Sequence, residues 1–263
     1  MGLITAVANQ KGGTGKSVVA TNLAAARVAA GARVLLCDMD PQGNSADMVG
    51  AHVAGARSWV DVFEGAVDVA GACLRDVLPG LDLVAAGDES RLSGVEQGLV
   101  TVPRREEWLA RALHGQHDGY DDVILDCPPS LGQLTTNALL VADRIIAPVN
   151  LTDRHAVKGV NELHRSIAVL REVGFEVPTP MILRNFVNQR LLTVQTFAQL
   201  VAELNMPVLR TQIPKTEAIA NAVAEQVPIV LQDGKGQHAR AAAQAFRALA
   251  EELWPTTSAA EAA

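Results

Sequence analysis

The stretch LITAVANQKGGTGKSVVA, residues 3–20, decides the fold. Its opening residues, Leu3–Ala8, are apolar or β-branched and read as a short buried strand. From Lys16 to Ala30, small and aliphatic residues recur at helical spacing. Between them lies Lys11-Gly12-Gly13-Thr14-Gly15-Lys16-Ser17. Glycines let the backbone curl so that successive N–H groups converge, and the following helix N-terminus favours an anion, which together make a cradle for phosphate. In such a cradle Lys16 supplies a cation to the β- and γ-phosphates and the Ser17 hydroxyl can ligate Mg²⁺. The strict spacing G-x-x-x-x-G-K-[ST] fails, because residue 10 is Gln where a first Gly belongs, and the loop carries an extra lysine, Lys11.

Working outward, strands are expected at Arg33–Cys37, Leu81–Ala85, Asp122–Leu125, Arg144–Val149, Pro180–Leu183 and Val208–Ile213. Helical patterns cover Arg104–His114, Leu134–Val141, Val157–Val173, Val194–Leu204, Thr216–Ala224 and Ala239–Leu253. The strands are too apolar to have one wet face. They imply an α/β fold: a mainly parallel twisted sheet with helices on both faces. With 263 residues and 49% hydrophobic content, residues 1–254 suit one large domain, and the small, polar run 255–263 reads as a disordered tail. With the first strand beginning at residue 3, no room is expected upstream for a separate sequence-reading DNA domain.

The net charge of −7 argues against a chain coated in basic residues, and all of it falls on residues 1–150; the remainder is neutral. Cys37, Cys73 and Cys127 are widely spaced and form no C-x-x-C pair, which suits a reducing cytoplasm. No leader pattern and no bilayer-length apolar run is present, so a soluble, unprocessed cytoplasmic protein is expected. His114 and His117 sit in a turn-rich segment and read as a solvated loop rather than a metal site. Trp59, Trp108 and Trp254 read as isolated residues at helix edges.

The pattern K-G-G-x-G-K-[ST], with its extra Lys11, resembles the deviant Walker A loop of the ParA/MinD family of P-loop ATPases. Two more segments stand at the family's spacing: Asp38-Met39-Asp40-Pro41-Gln42-Gly43-Asn44 after the second strand, and Val123–Ser130, which resembles a Walker B strand with its following loop. An isolated Asp after a strand is commonly a helix cap, but three motifs in order favour nucleotide chemistry. The resemblance implies ATP and Mg²⁺ bound by Gly12, Gly13, Thr14, Gly15, Lys16, Ser17 and Val18. Asp126 and Ser17 would serve the metal, Asp38 would support its shell, and Asp40 would orient or activate water. Lys11 would reach the nucleotide of a second subunit, in the manner of an arginine finger. Asn185 and Pro214 occupy places comparable to the family's adenine contacts, and no N-K-x-D sequence is present for guanine. Val18 departs from the family, which often has a second Thr there.

The resemblance further implies a homodimer when ATP is bound, non-specific DNA binding, nucleoid association and a ParB-like or small adaptor partner that stimulates hydrolysis. The DNA-facing cations are expected in the neutral C-terminal half, with Arg210, Lys215 and Arg240 as candidates. The alternatives on the same scaffold are a MinD-like division-site regulator and an ATP-dependent metabolic or metal-centre assembly enzyme. The acidic end of the last helix, Glu251 and Glu252, argues against a membrane anchor. Cys37 and Cys127 lie inside or beside the nucleotide motifs rather than where a shared cluster would need them.

Overall fold

The computed structural model describes residues 2–150, 156–187, 206–232 and 234–255. The strands are β1 (Leu3–Val7), β2 (Val34–Asp38), β3 (Leu74–Leu78), β4 (Leu81–Val84), β5 (Asp122–Asp126), β6 (Arg144–Asn150), β7 (Met181–Val187) and β8 (Val208–Pro214). Among the described residues they form one sheet in the order β3-β4-β2-β5-β1-β6-β7-β8. All neighbours are parallel except β3 and β4. After β4 the chain returns to β5, between β2 and β1, and then crosses β1 to β6 on the other side; ligands of open α/β sheets bind at such a reversal of strand order.

Helices cover both faces: α1 (Lys16–Ala29), α2 (Asn44–Met48), α3 (Trp59–Phe63), α4 (Val69–Ala72), α5 (Glu89–Leu99), α6 (Trp108–Leu113), α7 (Gln133–Val141), α8 (Ala156–Glu172), α9 (Glu217–Ala224) and α10 (Gln237–Leu253). Strand alternation divides the core. Ile4, Ala6, Leu35 and Leu125 pack on one face with Trp59, Leu139 and Leu163, while Val7, Leu36 and Ile124 pack on the other with Leu23, Phe246 and Leu249. Each fully buried Leu or Ile contributes about 1.5–3 kcal/mol, which explains why runs apolar on both faces were needed.

Several local expectations are corrected. The edge strand β3, Leu74–Leu78, was not anticipated: it is antiparallel, half-wet and carries charged residues, with Asp76 at a positive φ of 50°. Helices α2, α3 and α4 are four or five residues long, too short to show a period. The Arg104–His114 pattern opens as a 3-10 turn at Arg105–Glu107 and becomes α-helical only from Trp108. The tryptophans are not isolated. Trp59 is fully buried, its ring centroid 6.2 Å from those of Phe63 and Trp108, and Trp254 lies under the guanidinium groups of Arg27 and Arg144. His117 is buried, one ring nitrogen 2.6 Å from the Leu113 carbonyl, so it closes a turn rather than facing water. The apolar face of α10 centres on Ala242, Phe246, Leu249 and Leu253 and is buried in the core. The expected helix Val194–Leu204 lies outside the described residues, as does the tail after Pro255.

Candidate nucleotide site

Register builds the site. In the β1–β5 and β2–β5 ladders Asp126 pairs with Val7 and with Asp38, so the carboxyl ends of three adjacent strands finish in one row. The phosphate loop springs from β1 directly above that row. Gly13 and Gly15 take φ of 72° and 85°, values open to glycine at little cost. A Cβ at Gly12 or Gly13 would meet no atom within 4 Å, whereas at Gly15 it would come within 2.4 Å of the Asn185 amide. The loop is thus open towards Gly12 and Gly13 and tightly backed at Gly15. Lys16 is buried, with Nζ 3.5 Å from the Lys11 carbonyl. Burial lowers its pKa, while the charges of Asp126 and Asp40 oppose that shift.

Asp126 and Asp40 lie near this lysine, and Asp38 lies beside both carboxylates. Asp126 accepts a hydrogen bond from Ser45 Oγ at 2.8 Å, and its Oδ1 is buried without a partner. Burial pushes its pKa up to about 6, against the pull of Ser17, Ser45 and Lys16. Asp38 is fully buried and its pKa is raised by that burial and by Asp126. Its oxygens accept from the backbone N–H groups of Asp40, Ser45 and Ala46 at 3.3, 3.0 and 3.3 Å. Asp38 therefore orders the 40–46 loop. Asp40 is buried beside it, its Oδ1 accepting from the Gln42 N–H at 3.1 Å.

The residues fit Mg²⁺ and a triphosphate. One lysine lies near two acids, Asp126 and Asp40, a buried carboxylate oxygen lacks a partner, and the loop leaves an open cradle. Among the described residues no three His, Cys, Asp or Glu side chains form a metal cage by themselves. Ser17 and Asp126 would hold Mg²⁺ here together with phosphate oxygens.

On the other flank, β6 and β7 place Asn150 opposite Asn185. Asn150 Nδ2 donates to the Gly13 carbonyl at 3.1 Å and Asn185 Nδ2 to the Thr14 carbonyl at 2.7 Å. Asn185 is wholly buried, and its Oδ1 accepts from the Phe186 N–H at 3.1 Å. In this structure the amide of Asn185, expected at the adenine, is engaged with the back of the phosphate loop. Pro214 ends β8 opposite Val187, close along β7 to that asparagine. Val18 points from α1 into the core.

Several supports carry no local sequence signal. Asn9 is buried, donating to the Pro148 carbonyl at 2.8 Å and accepting from the Lys11 N–H at 3.0 Å. Gly159 of α8 is pressed against the same place, where a Cβ would fall 2.3 Å from Asn9 Oδ1 and 2.7 Å from Lys11 Cβ. Cys37 and Cys127 are buried free thiols whose pKa values burial raises, which suits packing rather than cluster ligation.

The basic candidates are dispersed. Arg210 is 90% exposed and lies 3.6 Å from Glu252, near the end of α10. Arg240 is exposed at the other end of that helix, about 18 Å along its axis at 1.5 Å per residue. Lys215 is exposed just beyond β8. Arg184 and Arg247 are engaged with backbone carbonyls.

Comparison with known proteins agrees with this geometry. A family model described as an AAA domain matches residues 2–176. The chain is 32% identical over 256 residues to the sporulation initiation inhibitor protein Soj of Bacillus subtilis, covering 96% of this chain and 98% of that one. It is 35% identical to the chromosome partitioning protein ParA of Caulobacter vibrioides, covering 95% and 93%. Among solved structures, cobyrinic acid a,c-diamide synthase from Mycobacterium smegmatis, with bound ATP analog and magnesium, superposes with a TM-score of 0.77 at 30% identity, covering 96% and 94%.

Proposed function

The chain belongs to the ParA/MinD family of deviant P-loop ATPases, and on that premise we propose that it is an ATP-driven positioning switch for DNA or another cellular cargo. The observation that carries this reading is the convergence of Lys16, Asp40 and Asp126 on the open glycine cradle. Backbone N–H groups of residues 12–17 and Lys16 bind the phosphates, Ser17 and Asp126 serve the metal, and Asp40 holds and orients the attacking water. Mg²⁺ there would neutralise charge on the phosphate oxygens. Two copies pair across their nucleotides, each Lys11 supplying a cation to the other's site. Pairing doubles a modest basic surface drawn from Arg210, Lys215 and Arg240, so duplex DNA of any sequence is held by the dimer and poorly by the monomer. A ParB-like protein or small adaptor accelerates hydrolysis and releases the complex, which places the cycle on the nucleoid in the cytoplasm. Membrane attachment is disfavoured, because α10 buries its apolar face and no described helix is long and apolar enough to cross a membrane.

The test joins nucleotide and DNA. Lys16→Ala should lose Mg-ATP binding, and Lys11→Ala should bind ATP but stay monomeric in size-exclusion chromatography. The wild type with a non-hydrolysed ATP analogue should bind unrelated duplexes, weakening by orders of magnitude between about 50 and 200 mM salt. Duplex binding absent at low salt would reject the nucleoid mechanism. It would favour the second reading, an ATP-dependent metabolic enzyme, which the 30% likeness to the solved Mycobacterium smegmatis synthase supports.

A further inference from the structure

Helix α5 lies outside every nucleotide motif, yet it touches both acidic loops of the site. Glu89 and Glu96 are seven residues apart on it, two turns, and so project from one face about 10 Å apart. At the first position, Glu89 Oε1 accepts a hydrogen bond from Gln42 Nε2 at 2.5 Å. The backbone N–H of the same Gln42 donates to Asp40 Oδ1 at 3.1 Å, and the Gly43 N–H donates to the Asp40 carbonyl at 2.9 Å. Glu89, Gln42 and Asp40 thus form one chain of contacts ending on the carboxylate that faces the cradle.

At the second position, Glu96 Oε1 accepts from the Leu134 N–H at 3.2 Å, in the first turn of α7. That helix directly follows the Asp126–Ser130 segment. Its N-cap residue is Gly132, which supplies no side-chain cap, and a Cβ there would strike the Glu96 carboxylate. Glu96 is therefore the cap of α7, delivered from a different helix, and glycine at 132 makes room for it. Thr135 Oγ1 donates to the Ser130 carbonyl at 2.6 Å, fastening the end of the Asp126 loop to the turn that Glu96 holds.

We propose that Glu89 and Glu96 are positioning residues for ATP hydrolysis, with α5 acting as a brace that fixes the Asp40 loop relative to the Asp126 loop. This rests on the reading of Asp40 as the residue that orients water. Neither glutamate touches the cradle, so the brace governs the hydrolytic step rather than nucleotide affinity. Glu89 and Gln42 are both exposed, so breaking their contact leaves the core intact.

The test uses the full chain, with single-turnover hydrolysis at saturating Mg-ATP, Mg-ATP affinity by titration, and the urea midpoint. Glu89→Ala and Gln42→Ala should each lower turnover about three- to tenfold, with affinity within about twofold and the unfolding midpoint unchanged. The double variant should be no slower than either single one, because both cut the same chain of contacts. Glu89→Gln should restore turnover, since its amide oxygen still accepts from Gln42. Glu96→Ala should slow turnover with some loss of stability, and Glu96→Gln should recover much of both. Turnover of Glu89→Ala equal to wild type, additive effects in the double variant, or a parallel loss of affinity would overturn the brace. Wild-type turnover that survives Lys16→Ala would instead overturn the nucleotide site itself, and this role with it.

Discussion

The two flanks of the phosphate loop are built by the same device and carry opposite chemistry. On one side, β2 and β5 end in register on Asp38 and Asp126; on the other, β6 and β7 place Asn150 opposite Asn185. The carboxylates are crowded and buried, and burial raises the pKa of both. Such an arrangement opposes folding and makes sense where a cation is to be received. The asparagines are neutral, and each gives its N–H to a carbonyl of the loop, at Gly13 and Thr14. One flank gathers buried charge, and the other fastens the backbone of the loop.

The largest effect should come from the acidic flank. Asp40→Ala is expected to lower turnover by about 10²- to 10⁴-fold, the range for losing a positioned acid–base group, while Mg-ATP binding persists. Single-turnover hydrolysis beside equilibrium binding separates the two. A variant that still hydrolyses at the wild-type rate would move the water-orienting role to another residue and break the division between the flanks.

How much of this was legible follows from what each residue contacts. Lys16, Asp40 and Asp126 drew notice in the sequence because phosphate and metal chemistry ties residue type to spacing, and the structure brings these three side chains together. The central strands were readable because burial on both faces leaves continuous apolar runs. The amide flank was not. Asn150 and Asn185 act on backbone carbonyls of the loop, 137 and 171 residues away, and no local pattern marks such a partner. Glu89 and Glu96 escaped for a related reason: α5 contains Gly94 and Gly98 and buries only Leu92 and Leu99, so its helical period is faint. Gly159 looks like an ordinary helix-weakening glycine until its neighbours across the fold are known.

That glycine provides the second test, because it extends the holding flank to the lysine predicted to act across subunits. α8 approaches the loop so closely at Gly159 that a methyl group would press on Asn9 and Lys11 together. Overpacking of this kind costs about 1–3 kcal/mol and must shift either the helix or the loop. Gly159→Ala, in an Asp40→Ala background expected to accumulate the ATP-bound pair because hydrolysis is slow, should weaken ATP-dependent pairing about 10- to 100-fold. Monomeric nucleotide binding should remain. Sedimentation velocity across a concentration series measures this, and pairing as tight as that of Asp40→Ala alone would show that Lys11 tolerates displacement.

The smallest effect belongs to Asn185, and it decides whether the second flank holds backbone or reads a base. Removing the amide leaves the Thr14 carbonyl and the Phe186 N–H without their partner, a loss of about 1–3 kcal/mol in stability. The loop then has to be ordered by the ligand itself. If about 1.4 kcal/mol of that deficit falls on binding, Asn185→Ala weakens the nucleotide about tenfold. The weakening is tied to phosphates, so ADP, GDP and inorganic pyrophosphate should all lose the same factor. An adenine contact would instead penalise ADP and leave GDP and pyrophosphate alone. Asn185→Asp sharpens the distinction, since it is nearly isosteric but places a buried negative charge against the Thr14 carbonyl. It should be less stable than the alanine variant, whereas a base-reading residue at a pocket surface would tolerate the change. Isothermal titration with the three ligands, beside urea unfolding of both variants, measures every term. A selective loss of ADP would return Asn185 to the adenine and leave Asn150 as the amide that holds the loop.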